Sequence, residues 1–174
     1  MNGFLSYGKR EEIRRKAVKT RLYAYREMSR DIENQNERLE RIKTKLIGVG
    51  AQSITDMPKS PSPTDDRTVE LIQQKMELEE EIREVVEKRR TERAFFESVI
   101  KHLRRSDERA VIRVRYIDNA SWDEVVDVLF GGKEDLLERE DIYLRRVYKL
   151  HGQALLSMAK YIEENETGRS GTGG

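Results

Sequence analysis

The chain has no cysteine, two histidines and three prolines among its 174 residues. The absence of cysteine excludes disulfides, thiolate metal sites and a cysteine nucleophile. Imidazole is available only at His102 and His151, so a metal site built from several histidines is not expected. The sequence also lacks a Gly-rich phosphate loop. We therefore predict that the protein is not an enzyme and that it needs no cofactor.

Long apolar runs are missing as well. No segment approaches the ~20 residues of a membrane span, and the N-terminus lacks an apolar run followed by a small-residue cleavage site. Charged residues make up 39% of the chain and hydrophobic residues 36%. That balance is typical of long exposed helices and unfavourable for a thick core. We expect an all-α, cytoplasmic protein without a membrane partner.

The first part of the chain carries a heptad pattern. Residues 9–47 contain neither proline nor glycine, and apolar residues recur there every seven positions: Val18, Tyr25, Ile32, Leu39 and Leu46. A second segment, 66–103, has a similar apolar seam. All three prolines lie in residues 48–66, which predicts a loop. The pattern predicts a long helical hairpin or coiled coil over residues 1–103, paired within one chain or between two.

Residues 104–164 contain shorter predicted elements. Ser121 and Glu124 form a capping box at the start of the second of three helices, and Gly131 follows its end. Three short amphipathic helices in this order predict a C-terminal helix-turn-helix domain. The polar, Gly-rich tail at 165–174 is expected to be disordered.

The last of these helices is basic on the side opposite its apolar stripe. Residues 142–162 contain no acid, although the chain has 33 Asp and Glu residues. Arg and Lys release counterions when they contact phosphates, and Arg and Gln pair with guanine and adenine edges. The predicted DNA-binding residues are Tyr143, Arg145, Arg146, Tyr148, Lys149, His151 and Gln153. The same helices could instead form the packed end of a bundle, with solvated charges on its outer side.

A second basic segment lies near the N-terminus. Arg and Lys outnumber two Glu residues between positions 9 and 26. On a helix such side chains could track a phosphate backbone, and Arg14, Arg15 and Lys19 are the predicted secondary backbone contacts. Solvation, or an acidic protein surface, would suit the same residues.

Two stretches, LRRSDERAVIRVRYIDNASWDEVVDVLF and RRVYKLHGQAL, resemble region four of bacterial sigma factors. They are more closely similar to small phage-encoded, sigma-like late transcription regulators of the ArpU and RinA type. The positions that match that pattern are Arg115, Tyr116, Trp122, Glu124, Val125 and residues 147–155. The resemblance implies a phage or prophage regulator that activates late genes in a bacterial host. Its expected partners are double-stranded DNA, a second copy of the chain and host RNA polymerase.

One departure from the family's pattern is an acidic insertion, 132–141, between the last two helices. It is longer than the turn of a helix-turn-helix requires, and it either forms an extra helical turn or extends the last helix.

Two other functions fit the same sequence. A small terminase subunit for DNA packaging also combines a helix-turn-helix with long helices, and a coiled-coil adaptor or inhibitor would bind a host protein.

Overall fold

The computed structural model describes residues 7–52 and 63–169, and within these ranges the chain is all-α, as predicted. The helices are α1 (Tyr7–Gln52), α2 (Pro63–Lys101), α3 (Ser106–Ile112), α4 (Trp122–Phe130) and α5 (Glu140–Arg169), and a π-helical segment, Arg113–Ile117, continues α3. The chain divides into two compact units.

One unit consists of residues 27–91. Here the later part of α1 packs against the early part of α2 through the buried residues Leu39, Ile42, Leu71 and Leu78. Leu39, Leu71 and Leu78 belong to the apolar seams that the sequence predicts. Within this unit the two seams therefore meet in a single chain.

The other unit combines residues 1–26 with residues 92–174. The larger of its two hydrophobic clusters, which we call the long-helix cluster, joins the start of α1, the end of α2, the segment that includes the π-helix, and α5. Its fully buried side chains include Leu22, Tyr25, Phe96, Ile100, Ile112, Tyr116 and Met158. The start of α1 is thus part of the same core as the C-terminal helices.

The division into units differs from the predicted boundary between residues 103 and 104. Leu22 of α1 and Phe96 of α2 share the long-helix cluster with Met158 of α5. A heptad seam shows which side of a helix is apolar, but the pattern is the same whether that side meets another long helix or the C-terminal helices. The boundary therefore could not be placed from periodicity.

Helix ends also differ from the predictions. α1 continues through Gly48, where a side chain would meet nothing within 4 Å of its Cβ, because one exposed glycine costs a long helix only about 1 kcal/mol. α2 begins at Pro63, a residue that suits a first helical position. The predicted loop at 48–66 is therefore helical at both ends, and its middle, 53–62, lies outside the described residues.

Part of the tail predicted to be disordered, 165–174, is helical. α5 extends past Gly168 to Arg169. The remaining residues, 170–174, lie outside the described ranges.

The predicted capping box stands at the start of α4. The Glu124 amide donates a hydrogen bond to Ser121 Oγ at 3.2 Å, and the Ser121 amide donates to Glu124 Oε2 at 2.6 Å. These bonds with Ser121 hold the pKa of the Glu124 carboxyl below its usual value. They fix the point at which the chain enters α4.

Replacing Ser121 with Ala is expected to lower the free energy of unfolding by about 1 kcal/mol, because the Glu124 amide loses its acceptor. Urea unfolding followed by circular dichroism measures the change. Ser106→Ala is the matched control, since α3 has Arg105 as its N-cap and no side-chain capping bond. Equal losses in the two variants would contradict a capping role for Ser121.

Candidate nucleic-acid interface

α4 and α5 are held together by a second, smaller cluster, which we call the three-helix cluster. Val125 and Val126 of α4 are buried with Tyr143 and Val147 of α5 and with Val111 of α3. Because each of the three helices contributes at least one buried residue, this is a trihelical core. It packs α4 and α5 against each other and against α3, and residues 131–139 connect these two consecutive helices.

Trp122 attaches the start of α4 to α5. The centroid of its ring lies 5.0 Å from the Tyr148 ring and 5.0 Å from the His151 ring, both in edge-to-face arrangements. The Arg115 guanidinium stands over the same indole at 4.6 Å from its centroid and donates to the Ala120 carbonyl. The single tryptophan therefore packs between α4 and α5 and contacts the Tyr148 ring.

His151, one of the predicted DNA contacts, is an interior residue. Its side chain is 7% exposed, and its Nε2 lies 2.9 Å from the hydroxyl of buried Tyr116, within hydrogen-bond distance. Burial lowers the pKa of His151 to about 4, and the positive charges of Lys19, Arg115 and Arg15 act in the same direction. The imidazole is therefore neutral near pH ~7 and joins α5 to the π-helical segment.

Tyr143, another predicted contact, is 5% exposed. Its hydroxyl donates to Asp135 Oδ1 at 2.7 Å, and this bond is the main cause of the lowered pKa of the Asp135 carboxyl. Arg139 pairs with the other oxygen of Asp135 at 3.0 Å. The side chain of Tyr143 thus faces the turn before α5, and sequence periodicity alone did not reveal that this turn covers it.

The acidic insertion, 132–141, forms hydrogen-bonded turns that lead into α5. The Lys133 amide donates to the Phe130 carbonyl at 2.9 Å, and the Arg139 amide donates to the Asp135 carbonyl at 3.1 Å. The last two residues of the insertion, Glu140 and Asp141, form part of the first turn of α5. Asp135 is engaged by Arg139 and Tyr143, so its carboxylate does not neutralise the cations further along α5.

Four of the predicted contacts remain on the outside of α5: Arg145, Arg146, Tyr148 and Lys149. Arg146 lies over the Tyr143 ring at 5.2 Å from its centroid. Among the described residues, no carboxylate pairs with Arg145, Arg146 or Lys149. Gln153 is half-buried, and its Oε1 accepts a hydrogen bond from Arg105 at 3.3 Å. The exposed basic surface of α5 is therefore narrower than the sequence suggested.

The three secondary contacts predicted on α1 do not share one environment. Arg14 forms an ion pair with Glu163 of α5. Arg15 and Lys19 are exposed, and they line a cleft together with His151. The structure therefore brings all three residues next to α5, but Arg14 is already paired with a carboxylate of the protein.

One contact that the sequence did not reveal fixes the turn before α4. Asn119 has a φ of 62°, in the left-handed region, which Asn adopts more readily than most residues. Arg26 of α1 donates to the Asn119 side-chain oxygen, and a second donor of Arg26 lies 3.2 Å from the Asn119 carbonyl oxygen. Nothing in the sequence indicated that Asn119 has a partner ninety-three positions away.

The described ranges, 7–52 and 63–169, contain no group of three or more His, Asp or Glu residues that could hold a metal ion. None of the helices in these ranges is long and apolar enough to cross a membrane.

A model of a family described as a protein of unknown function (DUF1492) matches residues 60–135, which include α2, α3 and α4 and end before α5. No similar protein was found among curated proteins or among solved structures.

The buried His151 predicts a pH-dependent stability. Its pKa is lowered from 6.5 to about 4 in the folded protein, so between these values the unfolded chain binds a proton that the folded chain does not. The free energy of unfolding must then fall as the pH drops through this window, by about 2 kcal/mol between pH ~7 and pH ~5. Urea unfolding at the two pH values measures the change.

His151→Gln should remove most of this pH dependence, and His102→Gln, at an exposed histidine, should leave it intact. Glu97, Glu124 and Asp135 have pKa values lowered from ordinary values of 4.5, 4.5 and 3.8, so they lose little of their contribution to stability between pH ~7 and pH ~5. An unchanged slope in His151→Gln would show that the imidazole is not the titrating group.

Proposed function

We propose that the protein is a transcription regulator that binds double-stranded DNA through α5. The observation that carries this proposal is the outer face of α5, where Arg145, Arg146 and Lys149 are exposed beside Tyr148 without carboxylate partners in the described part of the chain. In a protein with 33 acids, a helix face with cations and no acid is the form that a phosphate-binding surface requires.

The packing of α5 against α4 supports the proposal, because a helix-turn-helix requires two consecutive helices that pack together. An α-helix fits the major groove, where Arg pairs with the guanine edge through two hydrogen bonds. The first turn of α5 contains Glu140 and Asp141, which phosphates would repel, so base contacts begin at Arg145. Tyr148 is held against Trp122 and offers a hydroxyl whose position is set before binding. The trihelical core therefore supplies a rigid support for the contacts.

The regulatory role rests on the resemblance to phage-encoded, sigma-like late regulators. On this proposal the protein acts as an activator of late genes in the cytoplasm of a bacterial host. A second copy of the chain sets the spacing of two half-sites, and host RNA polymerase is the further partner. The exposed residues Arg145, Tyr148 and Lys149 lie within or beside the segment that carries the resemblance.

The test begins with selection of bound duplexes from a random pool. Fluorescence anisotropy with a selected duplex then gives the dissociation constant over a series of salt concentrations. The variant R145A/R146A/K149A should lose duplex retention and keep its helicity, because the three side chains are exposed. Variants that lose one phosphate contact should show a salt slope that is smaller by about one unit.

The matched control removes three exposed cations of the other unit in R38A/K45A/K88A, none of which has an ion pair among the described residues. Equal binding by the wild type and R145A/R146A/K149A would refute the assignment of the site. Light scattering separates the remaining functions: ring oligomers would favour a small terminase subunit. A wild-type protein that retains no duplex would favour the coiled-coil adaptor.

A further inference from the structure

A cleft of about 540 Å³ lies between the start of α1 and the middle of α5. α1 contributes Arg15, Lys16 and Lys19 to its lining, and α5 contributes His151 and Gly152. All of these residues belong to the unit formed by residues 1–26 and 92–174. The cleft therefore lies inside one compact unit, next to the proposed DNA-binding face.

The cations of the cleft differ from three neighbouring arginines of α1 in what they contact. Arg14 pairs with Glu163, Arg21 with Glu92, and Arg26 binds Asn119. Arg15, Lys16 and Lys19 are exposed and have no ion pair among the described residues. One acid, Glu12, also lines the cleft, so three positive charges face one negative charge there. This surplus is concentrated where an anion would be enclosed on two sides.

Gly152 provides an independent indication that a ligand approaches α5. It lies in the interior of a 30-residue helix, where glycine is unfavourable compared with alanine. No packing contact explains it, because nothing lies within 4 Å of a Cβ built at this position. Gly152 is one of the residues that line the cleft. A glycine here lets an external group come close to the helix backbone.

The cleft also continues the proposed DNA-binding face. Residues separated by four positions lie on the same side of a helix, so Gly152 follows Tyr148 along the exposed side of α5. A nucleic-acid strand bound at Arg145 and Lys149 would be led along this side towards Arg15 and Lys19. Cations of both α1 and α5 would then contact the same phosphate backbone.

We infer that the cleft lined by Arg15, Lys16, Lys19 and Gly152 is a phosphate-binding site that holds backbone phosphates flanking the duplex segment read by α5. The identity of the ligand rests on the proposed function, whereas its chemistry, a phosphate group, rests on the cleft itself. The same chemistry could be supplied by a free phosphate-bearing molecule, and the experiment distinguishes the two sources.

The first measurement uses the full chain and a selected duplex with extended flanks. R15Q/K16Q/K19Q should reduce the slope of log affinity against log salt by up to about three units, since each phosphate contact contributes about one. Hydroxyl-radical footprinting should show that protection is lost on the flanks and kept at the centre. R38Q/K45Q/K88Q, with the same change of charge, should behave as the wild type.

Gly152→Ala is the second variant, and it separates binding from folding. Alanine favours a helix, and its Cβ meets nothing within 4 Å, so the melting temperature should stay the same or rise. The flank protection should nevertheless weaken, because the methyl group narrows the approach to the backbone. Undiminished flank protection and salt slope in both Gly152→Ala and R15Q/K16Q/K19Q would overturn the inference and leave the function of α5 intact.

If the wild type binds no duplex, the proposed function fails. A titration with inorganic pyrophosphate then tests the phosphate site by itself. Titration followed by the NMR signals of His151 and Gly152 should then give saturable shifts that R15Q/K16Q/K19Q abolishes. That result would assign the cleft to a free phosphate-bearing ligand. Absence of saturable shifts in the wild type would overturn the site altogether.

Discussion

The packing of α5 into two hydrophobic clusters is the constraint on which the rest of this unit depends. Val147 is buried in the three-helix cluster, and Met158 is buried in the long-helix cluster. Between them, His151 forms a buried polar contact with Tyr116. Because one helix must fill both clusters, its rotation about its own axis is fixed. The outward position of Arg145 and Lys149 follows from this rotation and not from any contact of their own.

Some of the cations around α5 are paired with carboxylates of the protein, and others are not. Carboxylates of the unit engage Arg14, Arg113 and Arg139. Arg145, Lys149 and Lys19 are exposed and lack such partners within the described residues. Exposed ion pairs contribute little to stability. The absence of carboxylate partners for these three cations therefore lowers the free energy of unfolding only slightly. The excess of positive charge around α5 is therefore compatible with a stable core.

Much of the architecture could be predicted because it depends on local pattern. The seam that contains Val18, Tyr25 and Leu39 follows from heptad spacing, and all three side chains are buried. The capping box at Ser121 follows from two residues three positions apart. These features depend on residues that are close together in the sequence, so they can be predicted from the sequence itself.

The parts that could not be predicted depend on what packs across a helix. Tyr143 and His151 lie on a helix whose outer side is basic, but contacts from Asp135 and Tyr116 bury them. The cleft beside Gly152 exists only because the start of α1 lies next to α5. No periodicity in α5 contains this information, since the residues of α1 that complete the cleft lie near the opposite end of the sequence.

The unit that contains α5 is discontinuous in sequence, because it takes its core from both the first long helix and the last residues of the second. A gene segment that encoded only the C-terminal helices would lack Leu22 and Phe96 and would expose the surface that they cover. Recombination that transferred only the segment encoding these helices would therefore transfer an incomplete core. Residues 27–91 tolerate changes in length more readily, because insertions or deletions of whole heptads there would preserve the apolar seam. Evolution can thus vary the span of the hairpin while the discontinuous core is inherited as one piece.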